Sequence, residues 1–413
     1  MYNNIALERS VYASEEHQMI AQAVRDFLEK EVMPYHEQWE EDQMVDRDIW
    51  TKAGELGLLC VDMPVEYGGG GMDVSYSLMI DEIISEYGAS GVGFSLHTNI
   101  AAPYIGKYGT DAQKKKFLEN MSSGKWIAAL GMTEPSTGSD LQKIKTSAVD
   151  AGDHWIVNGS KTFITNGYLS DIVIMAVKTR PGTDEEGVSM LLMEVDTPGF
   201  TKGQPLKKLG LKAQDTCELF MEDVKVPKEN LLGEEGKGFI YMMTELARER
   251  LDVAVQSIGG ARKALNDTIK YVNERHAFGG PVAQFQNTQF KLAEMATELQ
   301  VSEAYVDRCM ELLKTHELTA QQSSMAKLYC TEMHGRVADQ CLQLHGGYGY
   351  IWEYDICKNY ADARVSRIYA GTNEIMKVLI SRGLLPEYHA EMKKQRKARH
   401  KASTDQAAKP AAS

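Results

Sequence analysis

The sequence has no apolar run of the roughly 18 residues that a membrane-crossing helix needs. It has no surplus of basic residues. Lys and Arg number 45 against 58 Asp and Glu, a net charge of −13, which argues against a general nucleic-acid binder. The same balance disfavours a polyanionic ligand, so any site for one has to be locally basic. Cysteine is sparse: Cys60, Cys217, Cys309, Cys330, Cys341 and Cys357, with no C-x-x-C pair and no histidine at metal-ligand spacing. They read as reduced thiols, and no metal site is expected. No G-x-G-x-x-G follows a strand pattern, which removes a Rossmann nucleotide site. The glycine-rich stretch at 64–71, PVEYGGGG, lacks the Gly-Lys-Ser/Thr of a phosphate cradle and reads as a flexible turn. The first ten residues show neither a charged-then-apolar signal nor an Arg-rich transit pattern, so the expectation is a cytoplasmic protein.

What is present is an ordinary globular composition, 43% hydrophobic and 25% charged, in a chain long enough for two or three domains. Residues 1–128 read as mostly helical. Ile20, Val24, Phe27 and Leu28 recur at helical spacing, Val32 follows, and Pro34 is expected to break the pattern. Leu56, Leu58 and Leu59 suggest a second helical piece, with further helices at 78–87 and 114–121. His97, in a run of small and apolar residues, reads as a satisfied buried histidine. Residues 129–237 show short β-rich runs at 155–157, 161–165, 172–177, 189–195 and 217–220. Asn158-Gly159 reads as a hairpin turn, and Pro-Gly pairs at 181–182 and 198–199 mark loops. Beyond 238 the pattern is helical again. Ala254, Ile258, Ala261, Leu265, Ile269 and Val272 form one stripe, and 290–313, 319–344 and 373–382 read as further helices. The expected fold class is α+β and multi-domain: an N-terminal α-helical domain (1–128), a central β-barrel- or sandwich-like domain (129–237) and a C-terminal four-helix bundle (238–386). Residues 387–413 read as a basic disordered tail.

Three stretches carry more than fold. MTEPSTGSD (132–140) is a polar loop whose hydroxyls, at Thr133, Ser136, Thr137 and Ser139, can grip a ligand alongside backbone N–H groups. ERHAFG (274–279) follows the long stripe, and RIYAGTNEIMK (367–377) opens the last helix. In this order and at these separations they resemble the acyl-CoA dehydrogenases, over about Ile20 to Gly383. The resemblance implies FAD as cofactor. It places residues 130–139 against the flavin, Leu130 and Met132 among them, with Thr133 near the ring and Ser139 also touching the CoA part of the substrate. In KTFITNG it implies that Phe163, Ile164 and Thr165 pack on the ring; Phe163 stands where many members have Trp, and still offers a flat face. Arg275 and Gln286, with Gln343, Leu344, His345, Gly346 and Gly347, match positions that reach the FAD of a neighbouring subunit. Thr372, Asn373 and Glu374 match contacts to the subunit's own flavin. An arginine suits a pyrophosphate through charge pairing, and paired glycines admit a close backbone.

Many members carry their catalytic glutamate where this chain has Ala370. Two branches, the isovaleryl- and long-chain enzymes, have a small residue there and carry the glutamate on the long helix before Arg-Leu. The resemblance to these branches implies that Glu249, followed by Arg250 and Leu251, is the base that removes the α-proton. Read without it, Glu249 is a solvated helix charge. Glu245, four residues earlier on nearly the same face, is the neighbour to weigh against it. Ala370 retains a backbone N–H for the thioester oxygen; with Gly371 and Arg250 it completes the implied substrate contacts, and its methyl suggests a branched or long acyl group. The implied activity is α,β-dehydrogenation of an acyl-CoA, with an electron-transfer flavoprotein as acceptor and a homotetramer as the assembly. The rival readings are a flavin oxidase or monooxygenase of the same fold, and a non-catalytic acyl-CoA- or flavin-binding protein.

Overall fold

The computed structural model describes residues 2–183, 187–392 and 394–395. Helices from both ends of the chain flank a central sheet. α1 (Glu15–Phe27) starts at Ser14, whose side chain accepts the His17 N–H. Pro34 does not end this helical run. A five-residue π-helical segment, Leu28–Val32, leads into α2 (Met33–Asp42) and sets Pro34 in its first turn, where a missing N–H loses no bond. α3 (Asp48–Glu55) stops before Leu56, Leu58 and Leu59. Gly57 turns the chain at φ 68°, and the turn itself buries Leu58 and Leu59. The 64–71 turn is packed, not loose: a Cβ on Gly69 or Gly70 would meet the backbone of Met63 or Val61 at 2.2 or 2.6 Å. α4 (Val74–Tyr87), α5 (Ala102–Tyr108) and α6 (Asp111–Ser122) complete this region. His97 is buried with both ring nitrogens bonded, to the Met121 carbonyl (3.1 Å) and the Ala128 N–H (3.0 Å), and burial pushes its pKa down to about 4.

The sheet contains β1 (Ala128–Gly131), β2 (Ser147–Asp150), β3 (His154–Thr165), β4 (Ile172–Thr179), β5 (Gly187–Glu194), β6 (Phe200–Lys202), β7 (Thr216–Pro227) and β8 (Leu231–Leu232). Its order is β6-β7-β3-β2-β4-β5-β8, and β1 lies parallel to β4. β4 and β5 are covered on both faces, which explains their unbroken apolar sequences. Ile172, Ile174, Met190 and Leu192 join a core with helices α5 and α6. Val173, Met175, Leu191 and Met193 join a second core on the other face. Asn158-Gly159 is not a hairpin turn. β3 runs straight through it beside β7, with a register shift between Val157 and Gly159. Gly159 is required because a Cβ there would meet Thr146 Cα at 2.7 Å, and Asn158 is occupied by a reciprocal pair of bonds with Asp223.

α7 (Gly238–Glu274) is 37 residues, about 55 Å of helix. The hairpin β9 (His276–Ala277) and β10 (Gly280–Pro281) leads to α8 (Gln286–Lys314), α9 (Ala320–His345), α10 (Asp355–Ala363) and α11 (Asn373–Leu384). α7 packs on α8 and α9, and α9 also carries α10 and α11. The predicted stripe Ala254, Ile258, Ala261 and Leu265 lies in this core, which also takes Leu78 from α4. α10 has no counterpart in the sequence reading; at nine residues with four buried, its period is too brief to see. Among the described residues no helix is long and apolar enough to cross a membrane. Residues 396–413, most of the expected basic tail, lie outside the described residues.

Candidate active site

α5 faces α7 with a matched ladder. Tyr104, Lys107 and Tyr108 stand at helical spacings of three and four, opposite Glu245 and Glu249, which are four apart. Glu245 accepts from the Lys107 ammonium at 2.9 Å and the Tyr108 hydroxyl at 2.7 Å. Glu249, 5% exposed, accepts from the Tyr104 hydroxyl at 3.1 Å. The reading of Glu249 as a solvated charge therefore fails: it is buried beside a neutral donor. Burial pushes its pKa up to about 7; Tyr104 and Arg250 pull it down, while Glu245 and Asp252 add to the rise. Arg250, 4% exposed, has its Nε buried with no hydrogen-bond partner among the described residues. Burial lowers its pKa and Glu249 opposes that. One turn on, buried Asp252 accepts from Ser95 (2.6 Å) and Gln256 (2.8 Å). Its pKa and that of Asp81 on α4 are both raised, by burial above all, and the Asn99 amide donates to both acids. Arg248 pairs with Asp62 at 2.5 Å and donates to Asn99 at 2.7 Å. This turn of α7 is thus fastened to the N-terminal helices.

Ala370 and Gly371 are successive left-handed residues, with φ of 50° and 86°. An alanine rarely holds that conformation unaided. The support comes from α9. Lys327, fully buried, donates to the Gly371 carbonyl and to Asn373 Oδ1, both at 2.9 Å. Burial first, and the charge of Arg250 second, push the Lys327 pKa down to about 8. The Arg250 turn and the 370–373 loop therefore lie within electrostatic reach of one ammonium. Thr372 caps α11 through the Ile375 N–H. Asn373, expected to touch cofactor, has its amide committed to Thr331 (3.0 Å) and Glu332 (2.8 Å) as well as Lys327, so its side chain is a strut and not a free donor. Glu374 is exposed in the first turn of α11, where the helix N-terminus and Thr372 lower its pKa.

The two β-domain stretches are brought together. Lys161 is fully buried and bonds Glu134 Oε1 (2.9 Å) and the Met132 carbonyl (3.2 Å). Glu134 also takes the N–H groups of Lys145 (2.6 Å) and Thr146 (2.9 Å). Burial lowers the Lys161 pKa to about 8, against the pull of Glu134. The Thr133 carbonyl accepts the Thr162 N–H at 2.9 Å. Phe163 sits at a second register shift in β3, with φ 59°, and its ring is turned outward, 68% exposed. Ile164 is the reverse: its side chain is buried inside the sheet core, so only its backbone faces the loop. Thr165, half-buried, ends β3. Leu130 and Met132 pack on the core that holds Tyr104 and Met242. Ser139 is exposed, while the Thr137 hydroxyl is spent on the Lys143 carbonyl.

A separate cavity of about 520 Å³ is lined by Arg275, Gln343, Leu344, His345, Gly346 and Gly347, with Tyr271 and Tyr348 among its walls. Gly346 and Gly347 leave open space where a side chain would stand. His345 is stacked on Tyr271 at 4.1 Å and bonded to the Cys341 carbonyl, so it serves as wall. Gln286 begins α8 outside this lining. No group of three or more candidate metal ligands exists among the described residues. The sequence reading missed Tyr104, Lys161 and Lys327. Two phenols and a cation spaced to match two acids on another helix were the available signal for Tyr104; the buried lysines left none.

Comparison with known proteins agrees with this layout. Residues 14–125, 129–224 and 236–385 match family models described as the N-terminal, middle and C-terminal domains of acyl-CoA dehydrogenase. The chain is 48% identical over 381 residues to the mitochondrial long-chain specific acyl-CoA dehydrogenase of Rattus norvegicus, covering 92% of this chain and 88% of that protein. The structure of an acyl-CoA dehydrogenase from Geobacillus kaustophilus superposes with TM-score 0.88 at 50% identity, over 90% of this chain and 99% of the other. An acyl-CoA dehydrogenase from Bacillus anthracis complexed with FAD superposes with TM-score 0.86 at 35% identity, over 94% of this chain and 69% of that one.

Proposed function

This chain belongs to the acyl-CoA dehydrogenase family, whose cofactor is FAD, and we propose that it desaturates long or branched acyl-CoA thioesters between Cα and Cβ with Glu249 as the base. The residues present fit the cofactor. Phe163 presents an outward ring beside the Thr133 loop, and Gly346 and Gly347 leave a cradle next to Arg275. Leu130, Met132, Thr133, Phe163 and the backbone at 164–165 would hold the flavin end, with Thr372 and Glu374 at the start of α11. Arg275 and the 343–347 segment would hold the pyrophosphate end of a neighbouring subunit's FAD. Phe278, almost wholly exposed on the β9–β10 hairpin, supports an assembly that covers this face, and we take it to be a homotetramer.

When bound, FAD would supply the acceptor for the hydride that leaves Cβ, with an electron-transfer flavoprotein as the onward electron acceptor. The protein's own share is proton transfer and charge stabilisation. The observation that carries the reading is Glu249: buried, hydrogen-bonded among the described residues to a phenol, and with a pKa of about 7 it is ionised enough to take the α-proton and basic enough to hold it. Glu245 lacks that freedom, since an ammonium and a phenol occupy it. The Ala370 N–H would donate to the thioester oxygen as enolate-like charge develops. The unpartnered Arg250 Nε suits a carbonyl or anionic group of the substrate. Identity with the rat long-chain enzyme and the small side chain at Ala370 support a long or branched acyl group.

The test is anaerobic bleaching of bound flavin by a panel of acyl-CoAs, from short and straight to long and branched. Wild type is expected to bleach fastest with long or branched substrates. Glu249→Gln is expected to bind them and bleach ~10²–10⁴ times more slowly. Undiminished bleaching in the variant would place the base elsewhere, a sharp preference for straight four-carbon substrate would overturn the substrate class, and no bleaching with any acyl-CoA would overturn the reaction.

A further inference from the structure

The α5–α7 interface treats its two acids unequally. Lys107 and Tyr108 give Glu245 a positive partner and a short hydroxyl bond. Tyr104 gives Glu249 one neutral donor, and that donor has no alternative state: burial and the charge of Glu249 raise the phenol's own pKa far above its usual value. A phenol that stays protonated bonds the ionised carboxylate more strongly than the neutral acid. Tyr104 and Glu249 are both buried, at 0% and 5% exposure, so water does not compete for the bond. Tyr104 is also held in place, as part of the core with Ile105, Phe117, Ala128 and Met242.

We infer that Tyr104 is the positioning residue of the base: its hydroxyl fixes the Glu249 carboxylate and favours its ionised form, so that helix α5 selects Glu249 over Glu245 for proton abstraction. This rests on the reading of Glu249 as base. The other groups that act on Glu249 are accounted for. From α7 itself, Arg250 lowers its pKa while Glu245 and Asp252 raise it. Asp81 on α4 repels the charge of Asp252, and Lys327 on α9 feels the charge of Arg250. Lys107 and Tyr108 on α5 act through Glu245. Against the effect of burial, the Tyr104 hydrogen bond lowers the Glu249 pKa more than the charge of Arg250 does.

The experiment compares FAD-loaded wild type, Tyr104→Phe and Glu249→Gln by two readouts. The first is the pH profile of the anaerobic bleaching rate at saturating acyl-CoA. The second is an infrared pH titration of the substrate-free protein, in which the Glu249 carboxyl band is identified by its loss in Glu249→Gln. A base works when deprotonated, so the rate rises with pH through its pKa. Losing a hydrogen bond to the charged form raises that pKa. Tyr104→Phe is therefore expected to move both midpoints upward by about one unit or more, with a rate ~10-fold lower at neutral pH that recovers at alkaline pH. A uniform rate loss with both midpoints unmoved would mean that Tyr104 only packs, and would overturn the inference while leaving the base intact. Full bleaching by Glu249→Gln would overturn the underlying reading instead. Site-specific 3-fluorotyrosine at position 104, a stronger donor that keeps the fold, is expected to shift the midpoints down; unmoved midpoints there would also overturn it.

Discussion

The turn of α7 around Glu249 and the loop around Ala370 are built on opposite plans. In the first, what is distinctive is a buried side chain, and the backbone is an ordinary helix stiffened by Asp252, Arg248 and their partners in the N-terminal region. In the second, the side chain is a methyl, and what is specific is the backbone: two left-handed residues whose shape is held by Lys327 from a third element. A carboxylate on a helix inherits its placement from the packing of a long, buried rod. A backbone donor in a strained loop needs an external strut. The two regions are electrostatically linked through two buried cations, since the charge of Arg250 helps to lower the pKa of Lys327.

Three changes would break or sharpen that contrast. The largest effect is expected from Lys327→Met, which leaves the Gly371 carbonyl and Asn373 Oδ1 without their ammonium. At ~1–3 kcal/mol for each of these two buried groups, calorimetry should show a loss of about 2–6 kcal/mol. An unchanged melting profile would mean that the loop holds its own shape. Next, Glu249→Gln should alter stability in a pH-dependent way. The Glu249 carboxyl titrates at about 7 folded against an ordinary 4.5. Between those values the native protein keeps a proton that the unfolded chain has released. The stability it contributes is present in full below the lower value and is lost as pH rises through 7. The variant should therefore gain on wild type by up to about 3 kcal/mol from acid to pH above 7, read by denaturation across that range. A constant difference at every pH would show that Glu249 is not buried as described. The smallest effect is expected from Glu245→Gln. Its partner Lys107 is about half exposed, so an interaction worth ~1 kcal/mol or less is removed, and bleaching should change less than about 5-fold. The rising limb should move slightly to lower pH, because Glu245 raises the pKa of Glu249. A loss as deep as that of Glu249→Gln would erase the distinction between the two acids.

Much of the fold was legible because burial writes a period into the sequence. The α7 stripe, the apolar runs of β4 and β5 and the switch from helix to sheet near Ile127 all follow from faces that had to be covered. The failures have local causes. Pro34 was read as a breaker because a π segment that repositions it has no periodic mark. Asn158-Gly159 carries turn chemistry, but its glycine answers the close approach of Thr146 and its asparagine answers Asp223, both distant in sequence. Glu249 could be picked out by family resemblance alone. Its residue type and spacing suit a solvated helix charge equally well.

The sequence by itself determined the order of helical and β regions, the core faces and the motifs that mark the family, because those depend on neighbours along the chain. Tertiary structure alone decided how differently the two acids on α7 are partnered. That difference depends on desolvation and on the charge of the groups opposite, and both arise only when α5, 140 or so residues away, packs its phenol against Glu249 and its ammonium against Glu245.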